Sequence, residues 1–110
     1  MFTVVETPAF QRRAEKLLSD DEREELIEYL ARNPLAGDVM SGTGGVRKLR
    51  YAARGKGKRG GARVIYYVVD DETPLYALLN YGKDEQDNLT AEQKKAVQAF
   101  AAAIKAARGR

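Results

Sequence analysis

The chain predicts an α+β domain, a small antiparallel sheet with a helical hairpin on one face, in the order β-α-α-β-β-β-α. Three observations predict it. Helix-start signatures stand close together at Thr7-Pro8 and at Ser19-Asp20-Asp21-Glu22. Three strand-prone runs then follow between residues 46 and 81, separated by a glycine-rich stretch and an acidic turn. A further helix start at Thr90 opens an alanine-rich segment that runs almost to the end. A chain of 110 residues fits one domain spanning 1–110, large enough to bury roughly two-thirds of its unfolded surface.

Taken in order, Phe2 to Glu6 is short and β-prone and reads as the opening strand. Thr7 places a capping hydroxyl before Pro8, whose missing N–H costs nothing at the first helical position. Phe10, Ala14, Leu17 and Leu18 give that helix an apolar face. Ser19 then begins a capping box with Glu22, and its acids suit the helix dipole, so a second helix should run from about Asp20 to Ala31. Leu26, Ile27 and Leu30 are its buried stripe, and Asn33-Pro34 ends it. Two helices joined so tightly form a hairpin.

From Leu35 to Gly45 no period is sustained, and the segment reads as an ordered crossing loop with Gly42, Gly44 and Gly45 at its turn before a strand. Val46 to Ala52 alternates, with Leu49 and Tyr51 on one side and Lys48, Arg50 and Ala52 on the other, as a half-buried strand does. Arg63 to Val69 is apolar on both faces once past Arg63 and should be central. Between them, Ala53 to Ala62 is a glycine-rich tip longer than a hairpin needs. Asp70 to Pro74 turns the chain into a third strand, Leu75 to Tyr81, which the charged cluster Gly82-Lys83-Asp84-Glu85 terminates. Thr90 and Gln93 repeat the capping-box pattern for a helix running to about Ala107. Val97, Phe100, Ala101 and Ile104 give it a narrow apolar stripe, read as core packing.

Charge is distributed very unevenly. Residues 1–45 carry five basic and nine acidic side chains, residues 46–69 eight and none, and residues 70–110 six and seven. The net +3 therefore rests on one segment, which points to a polyanionic partner through phosphate contact and counterion release. There is no cysteine and no histidine. Disulfides and thiolate sites are excluded, and so is the side chain most used for proton transfer and metal binding near neutral pH. Any catalysis must run on Lys, Arg, Tyr, Asp, Glu or Ser. No metal or other cofactor is expected. The opening MFTVVETPAF lacks the basic flank and long apolar core of an export signal, and no run reaches the ~18 apolar residues of a membrane span, so the chain reads as cytoplasmic with no membrane partner.

Gly55-Lys56-Gly57-Lys58-Arg59-Gly60 has the spacing of a dinucleotide-binding turn, but a strand follows it where a helix would be required. A loop of this composition suits RNA: glycine lets the backbone approach phosphates, and Lys56, Lys58 and Arg59 supply counter-charge. Lys48, Arg50 and Arg63 are held rigidly on strands. With Lys83 they could surround one phosphate and stabilise the extra charge of a pentacoordinate transition state. Tyr51, Tyr66, Tyr67, Tyr76 and Tyr81 lie in the same strands, where packing competes with stacking on a base or proton transfer. Glu85 is either a solvated carboxylate or a base for a ribose 2′-hydroxyl.

The run NPLAGDVMSGTGGVRKLRYAARGKGKRGGARVIYY, followed by LYALLNYGKDEQDNLTAEQ, resembles the HigB-type toxins of the RelE/ParE superfamily of type II toxin–antitoxin systems. The resemblance implies the same element order as a RelE-like, microbial ribonuclease-like fold. It further implies an mRNA endoribonuclease that enters the A site of the 30S subunit, contacts ribosomal RNA and cuts translated message, with a cognate antitoxin as partner. By the family pattern, Lys48 and Arg50 match the basic strand positions, Arg63 the arginine opening the central strand, and Gly82-Lys83 the motif after the last strand. Asp84 replaces the arginine that follows in RelE proper, and residues 84–110 contain no tyrosine to match the catalytic C-terminal one. Glu85, Tyr81 or a lysine with a lowered pKa remain for the base.

The assignment expected from these residues is Arg63, Lys83, Lys48 and Glu85 for catalysis. Arg47, Arg50, Arg54, Lys56, Lys58, Arg59, Tyr67 and Tyr81 are assigned to RNA and ribosome contacts. Two rival readings stay open, a ParE-like toxin that inhibits DNA gyrase without cleaving RNA, and a non-catalytic RNA-binding module.

Overall fold

The computed structural model describes residues 1–52 and 61–108. Among these, five strands and three helices follow in the order β1 (Val4–Glu6), α1 (Pro8–Leu17), α2 (Asp20–Arg32), β2 (Asp38–Val39), β3 (Arg47–Tyr51), β4 (Ala62–Tyr67), β5 (Leu75–Gly82) and α3 (Ala91–Arg108). The α+β class holds. The helix starts are where the capping residues put them: the Thr7 hydroxyl accepts from the Phe10 amide. Both halves of the Ser19–Glu22 box are made, and the Thr90–Gln93 box is reciprocal as well.

One sheet carries the order β1-β5-β4-β3-β2. β3, β4 and β5 form the expected antiparallel meander. The sheet as a whole is mixed, because β1 pairs parallel to β5, with Val4 opposite Leu75 and Glu6 opposite Ala77. The junction to α1 fixes this choice: the Thr7 amide donates to the Ala77 carbonyl at 3.0 Å and its hydroxyl to the Leu78 carbonyl at 2.8 Å. The crossing loop contributes a short strand of its own, β2, antiparallel to β3.

β4 is buried along its whole length, as a central strand must be, and its two faces serve two cores. Ala62, Val64 and Tyr66 pack under the hairpin against Phe10, Ala14, Leu17, Leu26 and Leu30. Ile65 and Tyr67, with Leu79 and Tyr81, face Val97 and Ala101 of α3. Each fully buried side chain of this size contributes about 1.5–3 kcal/mol. A register shift at Ile65/Tyr66 lets Leu78 and Leu79 both join the α3-side core, since a bulge resets which face a residue serves. No helix among the described residues is long and apolar enough to cross a membrane.

Candidate functional site

Strand alternation sorts the basic residues of β3. Arg47 lies opposite Tyr66, and Leu49 opposite Val64, which belong to the hairpin-side core. Lys48 lies opposite Ile65 and Arg50 opposite Arg63, on the α3 side. Arg63 in turn faces Tyr81 across β5. Arg50, Arg63 and Tyr81 thus form one row across three strands, with Lys48 one step along the same face. Arg50 is exposed and Lys48 half-buried, whereas Arg63 is only 8% exposed. A guanidinium so placed is held in one orientation by its surroundings, which is what charge stabilisation at a reacting centre requires.

Lys83 stands just past the end of β5, two positions beyond Tyr81, with its amide donating to the Gly61 carbonyl at 3.2 Å and its side chain exposed. Gly61 has φ +72°, and a Cβ there would overlap the Tyr51 carbonyl. Only glycine permits the chain to enter β4 at this point. Arg54, Lys56, Lys58 and Arg59 lie outside the described residues.

Two expected site residues are engaged elsewhere. The Arg47 guanidinium donates to the carbonyls of Gly37 at 2.6 Å and Leu35 at 3.4 Å, on the hairpin side. Glu85 accepts from the Gly82 amide at 2.7 Å and pairs with Arg13 of α1 at 2.9 Å. A Cβ at Gly82 would meet the Asp84 carboxylate at 2.6 Å, with Leu17 at 3.2 Å and Glu85 at 3.4 Å beside it. The structure therefore brings Lys48, Arg50 and Arg63 onto one face with Lys83 near its end, and it does not bring Arg47 or Glu85 to that face.

Tyr67 and Tyr81 are buried, Tyr81 completely. The Tyr81 hydroxyl donates to the Asp87 carbonyl at 3.4 Å. Burial raises its pKa above 10.0; the neighbouring Arg63 charge opposes this and Asp87 adds to it. A phenol held in its neutral form supports its neighbours as a hydrogen-bond donor, and here it props the segment that leads into α3.

Beside this row lies a groove of about 400 Å³, walled by Asp38, Val39, Met40, Ser41 and Lys48 on one bank and by Asn88, Leu89 and Lys94 on the other, with Tyr81 at its base. The banks are tied together: Gln98 of α3 donates to the Gly42 carbonyl. Thr43 fixes the loop by donating to the Met40 carbonyl at 2.7 Å and accepting from the Val46 amide at 3.0 Å, which needs the positive φ of Gly42, Gly44 and Gly45. Sequence reasoning missed this groove, because Asp38 is far along the chain from Asn88 and Lys94 and none of the three bears a motif. Among the described residues no group of three or more acidic side chains is placed to hold a metal ion.

The family model described as RelE toxin of the RelE / RelB toxin-antitoxin system matches residues 2–110. Among solved structures, a mutant of the E. coli toxin RelE with two arginines replaced by alanine, in the free state, is similar with a TM-score of 0.55 and 16% identity, covering 78% of this chain and 87% of that one.

Proposed function

This chain belongs to the RelE toxin family of toxin–antitoxin systems, and we propose that it is a ribosome-dependent mRNA endoribonuclease of the HigB type. In this reading a single toxin domain over residues 1–110 acts in the cytoplasm, cuts message in the A site without a cofactor, and is neutralised by a cognate antitoxin. The observation that carries the reading is the shared face of Lys48, Arg50 and Arg63, continued by Lys83. Cations set side by side on one face of a sheet suit a phosphodiester backbone better than they suit a diffuse surface contact.

The chemistry is attack of a ribose 2′-oxygen on the adjacent phosphorus. The new P–O bond closes a 2′,3′-cyclic phosphate as the bond to the 5′-oxygen breaks, and the 2′-hydroxyl proton leaves while one reaches the 5′-oxygen. Arg63 and Lys83 stabilise the charge that accumulates on the nonbridging oxygens, and Lys48 and Arg50 hold the strand in line. Arg54, Lys56, Lys58 and Arg59 would contact ribosomal backbone. Glu85 has no proton-transfer role in this reading, because its carboxylate is bound to Arg13 and the Gly82 amide. Tyr81 acts from beneath, as a positioning residue for Arg63.

Mapping mRNA 5′ ends after induction, with and without translation of a test message, tests the proposal. Cleavage confined to translated message is expected. Intact RNA accompanied by DNA damage would move the assignment to a gyrase inhibitor, and intact RNA without damage to a non-cleaving RNA-binding module.

A further inference from the structure

We infer that the groove between β2–β3 and the first turn of α3 is a subsite for one nucleotide of the substrate RNA, which selects bases bearing an exocyclic amino group. The inference rests on the nuclease reading for its biological meaning, and on the groove itself for its chemistry. A nucleotide presents three surfaces: flat apolar faces, a hydrogen-bonding edge and an anionic phosphate. The groove offers a counterpart to each. Val39, Met40 and Leu89 are apolar walls, Asp38 and Asn88 are hydrogen-bonding groups, and Lys48 and Lys94 stand on opposite banks. Its volume of about 400 Å³ lies in the range of small-molecule sites, roughly 300–1,000 Å³.

Lys48 and Lys94 come from different elements, a strand and a helix, and the Gln98 link to the Gly42 carbonyl holds those elements at a fixed spacing. A phosphate entering between them meets two charges at once. Lys48 also belongs to the cationic row with Arg50 and Arg63. The groove is therefore continuous with the proposed centre of cleavage, and the nucleotide it takes adjoins the scissile phosphate.

The base preference follows from Asp38. An ionised carboxylate only accepts hydrogen bonds. Adenine, cytosine and guanine each carry an amino group that can donate to it, while uracil has only its N3–H to donate, set between two carbonyl oxygens that the carboxylate repels. Asn88 both donates and accepts, so it can complete the edge of any of the three amino bases. An acidic peptide would satisfy the lysines but would meet Asp38 as a like charge.

The test uses the intact protein and the four nucleoside 3′-monophosphates, followed by amide chemical shifts. Shifts are expected at residues 38–41, at Lys48 and at residues 88–94, with the three amino bases binding about tenfold more tightly than uridine monophosphate. Asp38→Asn should admit uridine, Asn88→Ala should flatten the preference, and Lys94→Gln should weaken all four alike. Asp38, Asn88 and Lys94 are exposed, so the fold tolerates each change. In cells the base distribution at mapped cut sites should shift in Asp38→Asn and Asn88→Ala. No shifts at the groove, or an unchanged preference in both variants, overturns the inference. If nucleotides bind as described but wild-type protein cuts no message, the nuclease reading fails and the subsite stands. If message is cut with the same base distribution in all variants, the subsite fails and the nuclease reading stands.

Discussion

The two faces of the sheet use the same kinds of residue for opposite ends. On the hairpin side, cations are tied down: Arg13 binds Glu85, Arg23 binds Glu6 and Arg47 binds two loop carbonyls. These contacts close the edges of a core filled by Phe10, Leu17, Leu26 and Leu30. On the α3 side one helix buries only Val97 and Ala101, and the strand cations Lys48, Arg50 and Arg63 gather where that cover ends. A count of charges cannot separate the two groups. Arg13 and Arg23 are placed by the hairpin helices that carry them, and Arg47 is parted from Lys48 and Arg50 by strand parity, because neighbouring residues on one strand point to opposite faces.

The contrast is broken most sharply at Arg63. Arg63→Ala is expected to reduce cleavage of translated message by about 100-fold or more, with circular dichroism and antitoxin binding unchanged. Arg13→Ala, equally cationic but on the hairpin side, should leave cleavage near wild type and lower stability by about 1 kcal/mol, since its carboxylate pair is partly solvated. Full growth arrest in Arg63→Ala, or loss of cleavage in a folded Arg13→Ala, would reverse the roles given to the two faces.

A smaller effect separates the two cores. Leu30 is completely buried, and Leu30→Ala should cost about 2–5 kcal/mol by transfer and cavity terms. Val97→Ala, on the single helix that covers the other face, removes two methyl groups and should cost about 1.5 kcal/mol. Chemical denaturation of both variants checks the ranking. Equal losses would mean that α3 is as firmly packed as the hairpin.

Gly37 gives an effect of intermediate size with a local cause. A Cβ there would stand 2.8 Å from a Tyr66 ring carbon and 2.9 Å from the Lys48 carbonyl. The Gly37 amide donates to the Tyr66 hydroxyl at 2.8 Å, which itself donates to the Pro34 carbonyl at 2.8 Å. Gly37→Ala should therefore cost about 1–3 kcal/mol and also disturb β3 at Lys48. If it lowers stability without altering cleavage, the strain stays on the hairpin side.

Much of the fold was legible because its signals are local. Thr7, Ser19–Glu22 and Thr90–Gln93 each satisfy helix-end amides within a few residues, and each capping bond is present. The alternation of Leu49 and Tyr51 against Lys48 and Arg50 was legible for the same reason. Carried one residue back, that alternation would also have put Arg47 with the core. The parallel pairing of β1 was not legible, since it depends on where α1 docks some seventy residues away in sequence, as the Thr7 to Leu78 bond shows. The Arg13–Glu85 pair joins residues equally distant. It ties the turn after β5 to α1. Gly37 escaped notice because its constraint is a close approach by Tyr66 and not a turn.

The smallest effect appears only in alkali, and it distinguishes the faces by titration. Tyr51 and Tyr66 on the hairpin side, and Tyr81 on the α3 side, all have pKa values raised above 10.0, with burial the leading cause in each. For Tyr51 the charges of Glu25 and Glu22 add to burial. For Tyr66 the Gly37 amide and Arg47 oppose it, and for Tyr81 Arg63 opposes it. The folded state keeps these protons when the unfolded state has lost them. Their contribution to stability is therefore present in full below pH ~10 and is lost as pH rises through the folded-state values. Tyrosinate absorbance should show Tyr51, Tyr66 and Tyr81 titrating late, with unfolding free energy falling over the same range. Arg63→Ala should delay Tyr81 further by removing the opposing charge, and leave Tyr51 and Tyr66 where they were. A shift of the hairpin-side tyrosines in that variant would show that the two faces are electrostatically coupled through β4, and the division between a locked face and a working one would then have to be redrawn.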